Sequence, residues 1–496
     1  VIWWLKKVFL NRVSHRIHPI FFSAALFFSS SAFTLVEATS PPTFELNPSE
    51  KRLYDKIIRY DYFLKDLPST PSSGKAAWLR HLGLSLELVF SENTALEPVL
   101  EAEHKQLVKV LKASNESHQV KQLLEAEMKI HLGLARIKLG KDLPAAWQLR
   151  SAFLQLKTLL TSYPDFLPAR KSMGLLQVAL AATPVQYHWV LKLMGIYSTT
   201  AEGLQNLELA KKDVVFGTEA SMIEAMVTAF LLDQPQHGIR LLREQENDIL
   251  GSYLRFHLLL KAQKGELAIQ QFRSVDLSQY PPQAYYFYGL ALLQKGLYPE
   301  AEVQFKKFID SCNCINLVKS AYFRLHQIYR LQGDQNKAEQ FRIMATEKGF
   351  TIAEADKNAD KEIRQEPGDD RLLIARLAFD GGFSERAFQA LEQINPAGLK
   401  TQSEKTEYFY RYARVYHHKG ASEKALEYYE RAIASGINQQ GYMVANSALK
   451  LGDLWREKGN RTKSKEMYEL ALSVKKHEYK NSIDSKAKVG LGLLGN

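Results

Sequence analysis

The sequence predicts an all-α chain, an α-solenoid of antiparallel helix pairs stacked side by side. Three observations carry this. Large and small residues recur in register along the second half of the chain. No run alternates apolar and polar residues as a half-buried strand would. Proline is sparse and sits mostly between the periodic apolar runs, as in helices joined by short turns. Hydrophobic residues make up 46% of 496 positions, enough for a continuous core, so disorder along the whole length is excluded.

Residues 1–38 read as a targeting segment. Lys6, Lys7, Arg12 and Arg16 precede Pro19 to Val36, a nearly uncharged stretch rich in Phe, Ala, Leu and Ser. Val36-Glu37-Ala38 suits a signal peptidase, so cleavage is expected after Ala38, with Ala32 as a second site. The competing reading is an uncleaved anchor. Its 18 apolar residues are at the short end for a spanning helix, which needs ~20, and serines dilute them. No cysteine lies in or just after this run, which excludes bacterial-type lipidation. A first residue of Val fits a bacterial gene with an alternative start codon, and fits a trimmed chain equally. The expectation is an exported, periplasmic protein; the alternative is one anchored in the inner membrane by its N-terminus. No second spanning segment is expected.

Residues 39–247 form a degenerate helical-repeat region. Asn47-Pro48-Ser49-Glu50 places an N-cap, a proline at the first helical position and a glutamate at the third. Helices are expected near 48–64, 75–91, 95–112 and 117–139. One blurred helix pair shows Leu132, Gly133, Ala145, Leu149 and Ala152 in register, its second helix running to Ser162 before Tyr163-Pro164.

Residues 248–475 carry the clearer array. After a weak unit at 249–277, with Leu259 and Ala268 in register, five units follow. The first has Tyr285, Tyr288, Gly289, Leu292, Gly296, Tyr298, Ala301, Phe305 and Phe308, and the second Tyr322, Leu325, Tyr329, Gly333, Ala338 and Ala345. The third has Ile374, Ala375, Ala378, Gly382, Ala387 and Leu391. The cleanest has Phe409, Tyr412, Ala413, Tyr416, Gly420, Ala425, Tyr429 and Ala432, and the last Leu451, Gly452, Trp455, Gly459, Ser464, Tyr468 and Ala471. Small residues let two helices approach, and a glycine turns the chain between them. One small position recurs at Ala301, Ala338, Ala387, Ala425 and Ser464, in steps of 37, 49, 38 and 39 residues. The long step contains the charged stretch Asp356 to Asp370, read as an extended connection. Residues 476–496 read as a capping helix, Ile483 to Leu494, covering the core at the array's end.

These residues resemble the tetratricopeptide-repeat superfamily, well over about 280–475 and loosely over 117–277. The resemblance implies a right-handed superhelix that binds partner segments in its concave groove. Over 166–210, Gly174-Leu175-Leu176, Pro184, Leu191 to Gly195 and Gly203-Leu204 resemble a segment of the eukaryotic tetratricopeptide family that includes the yeast inclusion-body-clearance protein of the mitochondrial outer membrane; no function is carried over from it. In the repeat, the first helix lines the groove with positions 2, 5, 9, 12 and 13. Those positions place Tyr286, Phe323, Gln327, Arg330, Arg376, Phe379, Tyr410, Arg414, His417 and Arg456 there. Asp369, Asp380, Glu407, Asp453 and Glu457 lie mainly toward the edges. An aromatic and arginine-rich groove suits a partner segment with acidic and apolar residues. The family's clamp for an acidic C-terminal tetrapeptide needs Lys and Asn where this chain has Tyr286 and Leu290, Phe323 and Gln327, Tyr410 and Arg414. That ligand is not expected. The competing reading is that the aromatics merely pack against neighbouring helices.

The formal net charge is +11, with no long block of Lys and Arg and no nucleic-acid docking motif, so no nucleic-acid partner is expected. There is no GxxxxGK[ST], HExxH or GxSxG. Ser73-Gly74-Lys75 lacks the upstream glycine of a phosphate loop, and Gly490, Gly492 and Gly495 spell GxGxxG without a strand before or a helix after. Cys312 and Cys314 lack the ligand set of a zinc site and read as small buried thiols. His417-His418 point about 100° apart on a helix and read as exposed polar positions, and Asp369-Asp370 and Glu50 as surface carboxylates. No catalytic, cofactor-binding or metal residues are assigned. The expected function is a non-enzymatic protein-interaction scaffold or assembly factor; the alternative is a glycan-binding or accessory subunit of a cell-envelope enzyme complex. Membrane contact is expected only through residues 1–38, if uncleaved.

Overall fold

The computed structural model describes residues 43–183, 188–311, 313–439, 441–475, 477 and 479–495. The targeting segment lies outside them. The described residues form twenty-four α-helices joined by turns and short 3₁₀ segments, with no strand among them. Among the described residues no helix is long and apolar enough to cross a membrane.

Helix α1 (Pro48–Arg59) starts as its sequence dictates. Asn47 Oδ1 accepts from the Ser49 and Glu50 amides, and Glu50 reaches back to the Asn47 amide. Nine further helices lead toward the array: α2 (Gly74–Ser91), α3 (Leu96–Ala113), α4 (His118–Lys138), α5 (Asp142–Ser162), α6 (Leu167–Ala181), α7 (His188–Leu193), α8 (Thr200–Ala210), α9 (Gly217–Phe230) and α10 (Pro235–Leu241). Then come α11 (Ile249–Lys261), α12 (Gly265–Arg273), α13 (Gln283–Lys295), α14 (Tyr298–Ser311), α15 (Val318–Leu331), α16 (Gln335–Glu347) and α17 (Glu354–Ile363). The chain ends with α18 (Asp370–Asp380), α19 (Ser384–Glu392), α20 (Gln402–His418), α21 (Ser422–Gly436), α22 (Tyr442–Glu457), α23 (Arg461–Ser473) and α24 (Lys480–Leu494). Ten antiparallel pairs pack in succession, with α6 pairing to α8 and single helices α1, α7, α17 and α24 added. The repeat register has a steric cause visible here. Ala301, Ala338, Ala387, Ala425 and Ser464 are almost wholly buried where the paired helices meet. A methyl on Gly452 would sit 2.5 Å from the Tyr468 ring. The capping helix α24 packs on α22 and α23.

Two features depart from a plain stack. First, the charged stretch read as an extended connection contains helix α17. Ala353, Asp356, Ala359 and Ile363 recur at helical spacing and are buried, a pattern hidden by its single large apolar residue. Helix α17 packs on α15 and α16, while α18 packs on α13. The 49-residue step is where the stack changes neighbours.

Second, the first turn closes on itself. The end of α2 meets the start of α13 and the segment before α15. Gln283 Nε2 donates to the Phe90 carbonyl (2.9 Å) and to Glu92 (2.8 Å). Glu92, with no exposed surface, accepts from the backbone amides of Ile315 and Asn316 and from Asn316 Nδ2, and pairs with Lys138 Nζ at 2.7 Å. The next turn is joined to the first by Gly265 N–H donating to the Gly381 carbonyl (3.1 Å) and by Gln263 Nε2 to the Phe379 carbonyl (2.9 Å). Gly382 (φ +84°) is required at this contact: a Cβ there would lie 1.7 Å from the Gln263 carbonyl oxygen.

Several smaller expectations are corrected. Cys314 is buried and disulfide-bonded, not a free thiol; Cys312 lies outside the described residues. His417 is half-buried, not exposed, and meets the Tyr429 hydroxyl at 3.3 Å; His418 is exposed, as expected, with its ring edge-on to Phe379. Asp369 caps α18 and Glu50 completes the cap of α1, both half-buried, whereas Asp370 is a surface carboxylate as expected, paired with Arg330.

Candidate functional site: two cavities inside the superhelix

The first helices of the pairs line two cavities. The larger, about 940 Å3, lies in the second half between α13, α15, α17, α18, α20, α22 and α24. Of the residues expected to line the groove, Tyr286, Arg376, Tyr410 and Arg414 do so. Phe323, Gln327, Arg330, Phe379, His417 and Arg456 do not border this cavity. Phe323 is buried beneath α17, against Ala359 and Ile363. Phe379 is buried in the core of the α18–α20 region, with the Arg414 guanidinium over its ring at 4.2 Å. Arg330 pairs with Asp370, and Arg456 donates to the Tyr468 hydroxyl. Even the two expected tyrosines that line it expose little: Tyr286 shares a hydrogen bond with Ser320, and Tyr410 accepts one from Asn446.

The groove's arginines are mostly paired within the chain. Arg376 meets Glu362 at 2.7 Å and Arg414 meets Asp380 at 3.1 Å. Arg411, which the register did not assign to the groove, is held between Glu407 (2.8 Å) and the Tyr442 hydroxyl (3.4 Å). Burial opposes its charge, but the Tyr442 hydroxyl and Glu407 outweigh that and hold the guanidinium above its ordinary pKa. Arg324, also missed, touches Gln327 (2.7 Å) and has no carboxylate within ion-pair distance among the described residues. Lining the cavity, six Lys and Arg face four Asp and Glu. Arg324 and Arg411 fall one position beyond the assumed groove register, which is why spacing alone passed them over.

The smaller cavity, about 240 Å3, sits inside the closed first turn and is lined by α2, α4, α6, α9, α11 and α13. Its walls are mostly aliphatic. One end carries a buried ion cluster: Lys171 Nζ lies 2.7 Å from Glu127 and 3.2 Å from Glu219. His131 Nε2 is 3.5 Å from Glu127, Ser172 Oγ donates to Glu127 and the Tyr54 hydroxyl donates to Glu219 (2.9 Å). Burial alone would depress the Lys171 ammonium and raise the Glu127 carboxyl. Their mutual attraction outweighs burial, leaving Lys171 above and Glu127 below its ordinary value. Beside them His81 is pushed well down by burial and by His131 and His104, and His104 is lowered to about 4 by burial and by Arg136 and Lys129. Sequence reasoning missed this cavity. Its only trace is charged residues set singly inside apolar runs, as in Ala126-Glu127-Met128. Among the described residues no group of three or more His, Cys, Asp or Glu is placed to hold a metal ion.

Residues 406–435, spanning α20 and α21, match the family model of the tetratricopeptide repeat. No curated protein matches the chain, so the local resemblance over 166–210 draws no support there. Among solved structures, the chain is similar to the human IFIT1 dimer with PPP-AAAA at 12% identity, over 86% of this chain and 95% of that one, with a TM-score of 0.34. It is similar to the APC/C hetero-tetramer Cut9-Hcn1 at 12% identity, over 89% and 88%, with a TM-score of 0.28. It is also similar to Naa15/Naa10 bound to HypK-THB at 14% identity, over 90% and 68%, with a TM-score of 0.26. No functional property is carried over from these three.

Proposed function

We propose that this chain, a tetratricopeptide-repeat protein, is a non-enzymatic scaffold that holds a helical segment of a partner protein in its larger cavity. One observation carries the reading: the groove already receives a helix of its own chain. Helix α17 lays Ala359 and Ile363 on Phe323 and pairs Glu362 with Arg376. Its sequence, EADKNADKEI, is acidic with sparse apolar anchors. The space beside it has the same character, with Tyr286, Leu290, Leu377, Tyr410 and Met443 as apolar contacts and a surplus of cationic side chains. A partner helix with one apolar face and flanking carboxylates fits that surface by the same rules. Arg324, with no carboxylate partner, is the first candidate to receive one.

The test compares co-purifying proteins from cells expressing the unmodified chain, an Arg324→Glu, Arg414→Glu double variant and a Lys465→Glu control on the outer helix α23. Charge reversal is preferable to removing Tyr410, because that ring is buried and its loss would disturb folding. The reading expects partners lost only from the double variant, with helical content unchanged by circular dichroism. Equal retention by all three would sink it. We further propose export to the periplasm. Mature protein beginning at Thr39 supports this, whereas the full chain recovered in membranes supports the anchor.

A further inference from the structure

We propose that the smaller cavity is a ligand site, built for an elongated aliphatic molecule whose polar end donates a hydrogen bond and carries no negative charge, such as a long-chain alcohol or amine. Protein interiors are packed as densely as organic crystals, and large voids are rare. Here a partly open cavity of about 240 Å3 remains among the helices of the first turn. An apolar cavity of roughly 150 Å3 is already enough to hold benzene. The walls are Leu86, Ile130, Leu134, Leu175, Met222 and Leu254, and all but Leu86 and Leu134 are themselves buried. Methionine gives such a wall the freedom to fit chains of differing shape.

The shape follows from α4, which borders the cavity from Glu127 to Lys138. Eleven residues of helix span about 16 Å. The space is therefore long, and it suits a single extended chain better than a ring system.

The polar end follows from charge. At the Lys138 end the ammonium is already matched by Glu92, so that end is neutral. At the other end two carboxylates, Glu127 and Glu219, meet one ammonium, Lys171, with the His131 ring 3.5 Å from Glu127. Lys171 and Glu127 are almost fully covered, while the Glu219 side chain keeps 24% of its surface open. Nδ1 of buried His131 has no hydrogen-bond partner. The open surface of the Glu219 carboxylate offers acceptor capacity at this end. A hydroxyl or ammonium meets it, whereas a carboxylate head would add a third negative charge.

The experiment titrates dodecanol, dodecylamine and dodecanoate into the full chain, purified without detergent, by calorimetry. Dodecanol and dodecylamine are expected to bind, with dodecanoate weaker by about tenfold or more. Within a series of alcohols, affinity is expected to rise about fourfold per methylene until the chain outgrows the cavity. Glu219→Gln removes one of the two carboxylates and is expected to weaken the amine more than the alcohol. Met222→Trp fills the cavity and is expected to abolish binding, while leaving any site on residues 1–38 untouched. Should that variant not fold, Leu254→Phe fills less and is expected to lose the longest alcohols first. The proposal is overturned if dodecanoate binds as well as dodecanol, if affinity ignores chain length, or if a folded, filled variant binds as before.

Discussion

Replacing Glu92 with alanine is expected to open the first turn of the superhelix. The carboxylate has no exposed surface, and it satisfies Lys138 Nζ, Gln283 Nε2, the Ile315 and Asn316 amides and Asn316 Nδ2. Truncation leaves a lysine with 10% of its side chain exposed without its counter-charge, and orphans several buried donors. Removing one partner of a buried ion pair costs about 3–5 kcal/mol. The individual hydrogen bonds do not add to that figure, because they share the same two oxygens. For a cooperative unit of ~150–250 residues, each kcal/mol moves the melting midpoint by about 2–4 °C. The expected fall is thus roughly 6–20 °C in the transition that includes α2 and α13. Hydrogen exchange gives the sharper assay. The amides of Ile315 and Asn316 donate directly to the carboxylate, and about 3 kcal/mol corresponds to roughly two decades in exchange rate. Glu92→Gln, which keeps an acceptor but loses the charge, should fall between. Were Glu92→Ala to melt with the unmodified protein and exchange those two amides at the original rate, the ring would not be held by this residue.

Three further outcomes are expected. Gly382→Ala should loosen the contact between turns by at least about 1–2 kcal/mol from the left-handed backbone alone, raising exchange at the Gly265 amide; an unchanged rate would refute it. Burial raises the Asp356 carboxyl to about 7, above the ~3.9 of the unfolded chain. Between those values the folded state holds a proton that the unfolded state has released. Stability should therefore decline as pH rises from about 4 to 7, and Asp356→Asn should flatten that slope in urea titrations. Ala425→Leu overpacks the α20–α21 contact, where Ala425 has no exposed surface, and should cost about 1–3 kcal/mol. An unmoved denaturation midpoint there would refute the repeat register.

Helix pairing was legible because it rests on short-range sterics. A small residue opposite a large one, as Gly452 faces Tyr468, announces itself at fixed spacing within one unit. Helix α17 was not legible because only Ile363 among its buried residues is large and apolar. Its presence also explains why Phe323, placed in the groove by register, is covered. Spacing says which way a side chain points but not what another segment lays over it. The aromatics Tyr286 and Tyr410 border the groove and also pack against neighbours, so the two readings of these residues meet in one surface. The ion cluster of the smaller cavity draws Glu127, Lys171 and Glu219 from three helices, and no local pattern links them.

The closed first turn also sets an order of events during synthesis. Glu92 and Asn316 are 224 residues apart in the chain. At about 5–20 residues per second, the ribosome needs roughly ten to forty-five seconds to deliver the second after the first. Through that interval Lys138 and Glu92 have each other but not the amides that complete their site. The aliphatic wall from Leu86 to Leu254 faces outward, without the helix that will shut it in. A nascent chain in this state presents a sticky, half-built ring for much longer than a solenoid whose units each close on the one before.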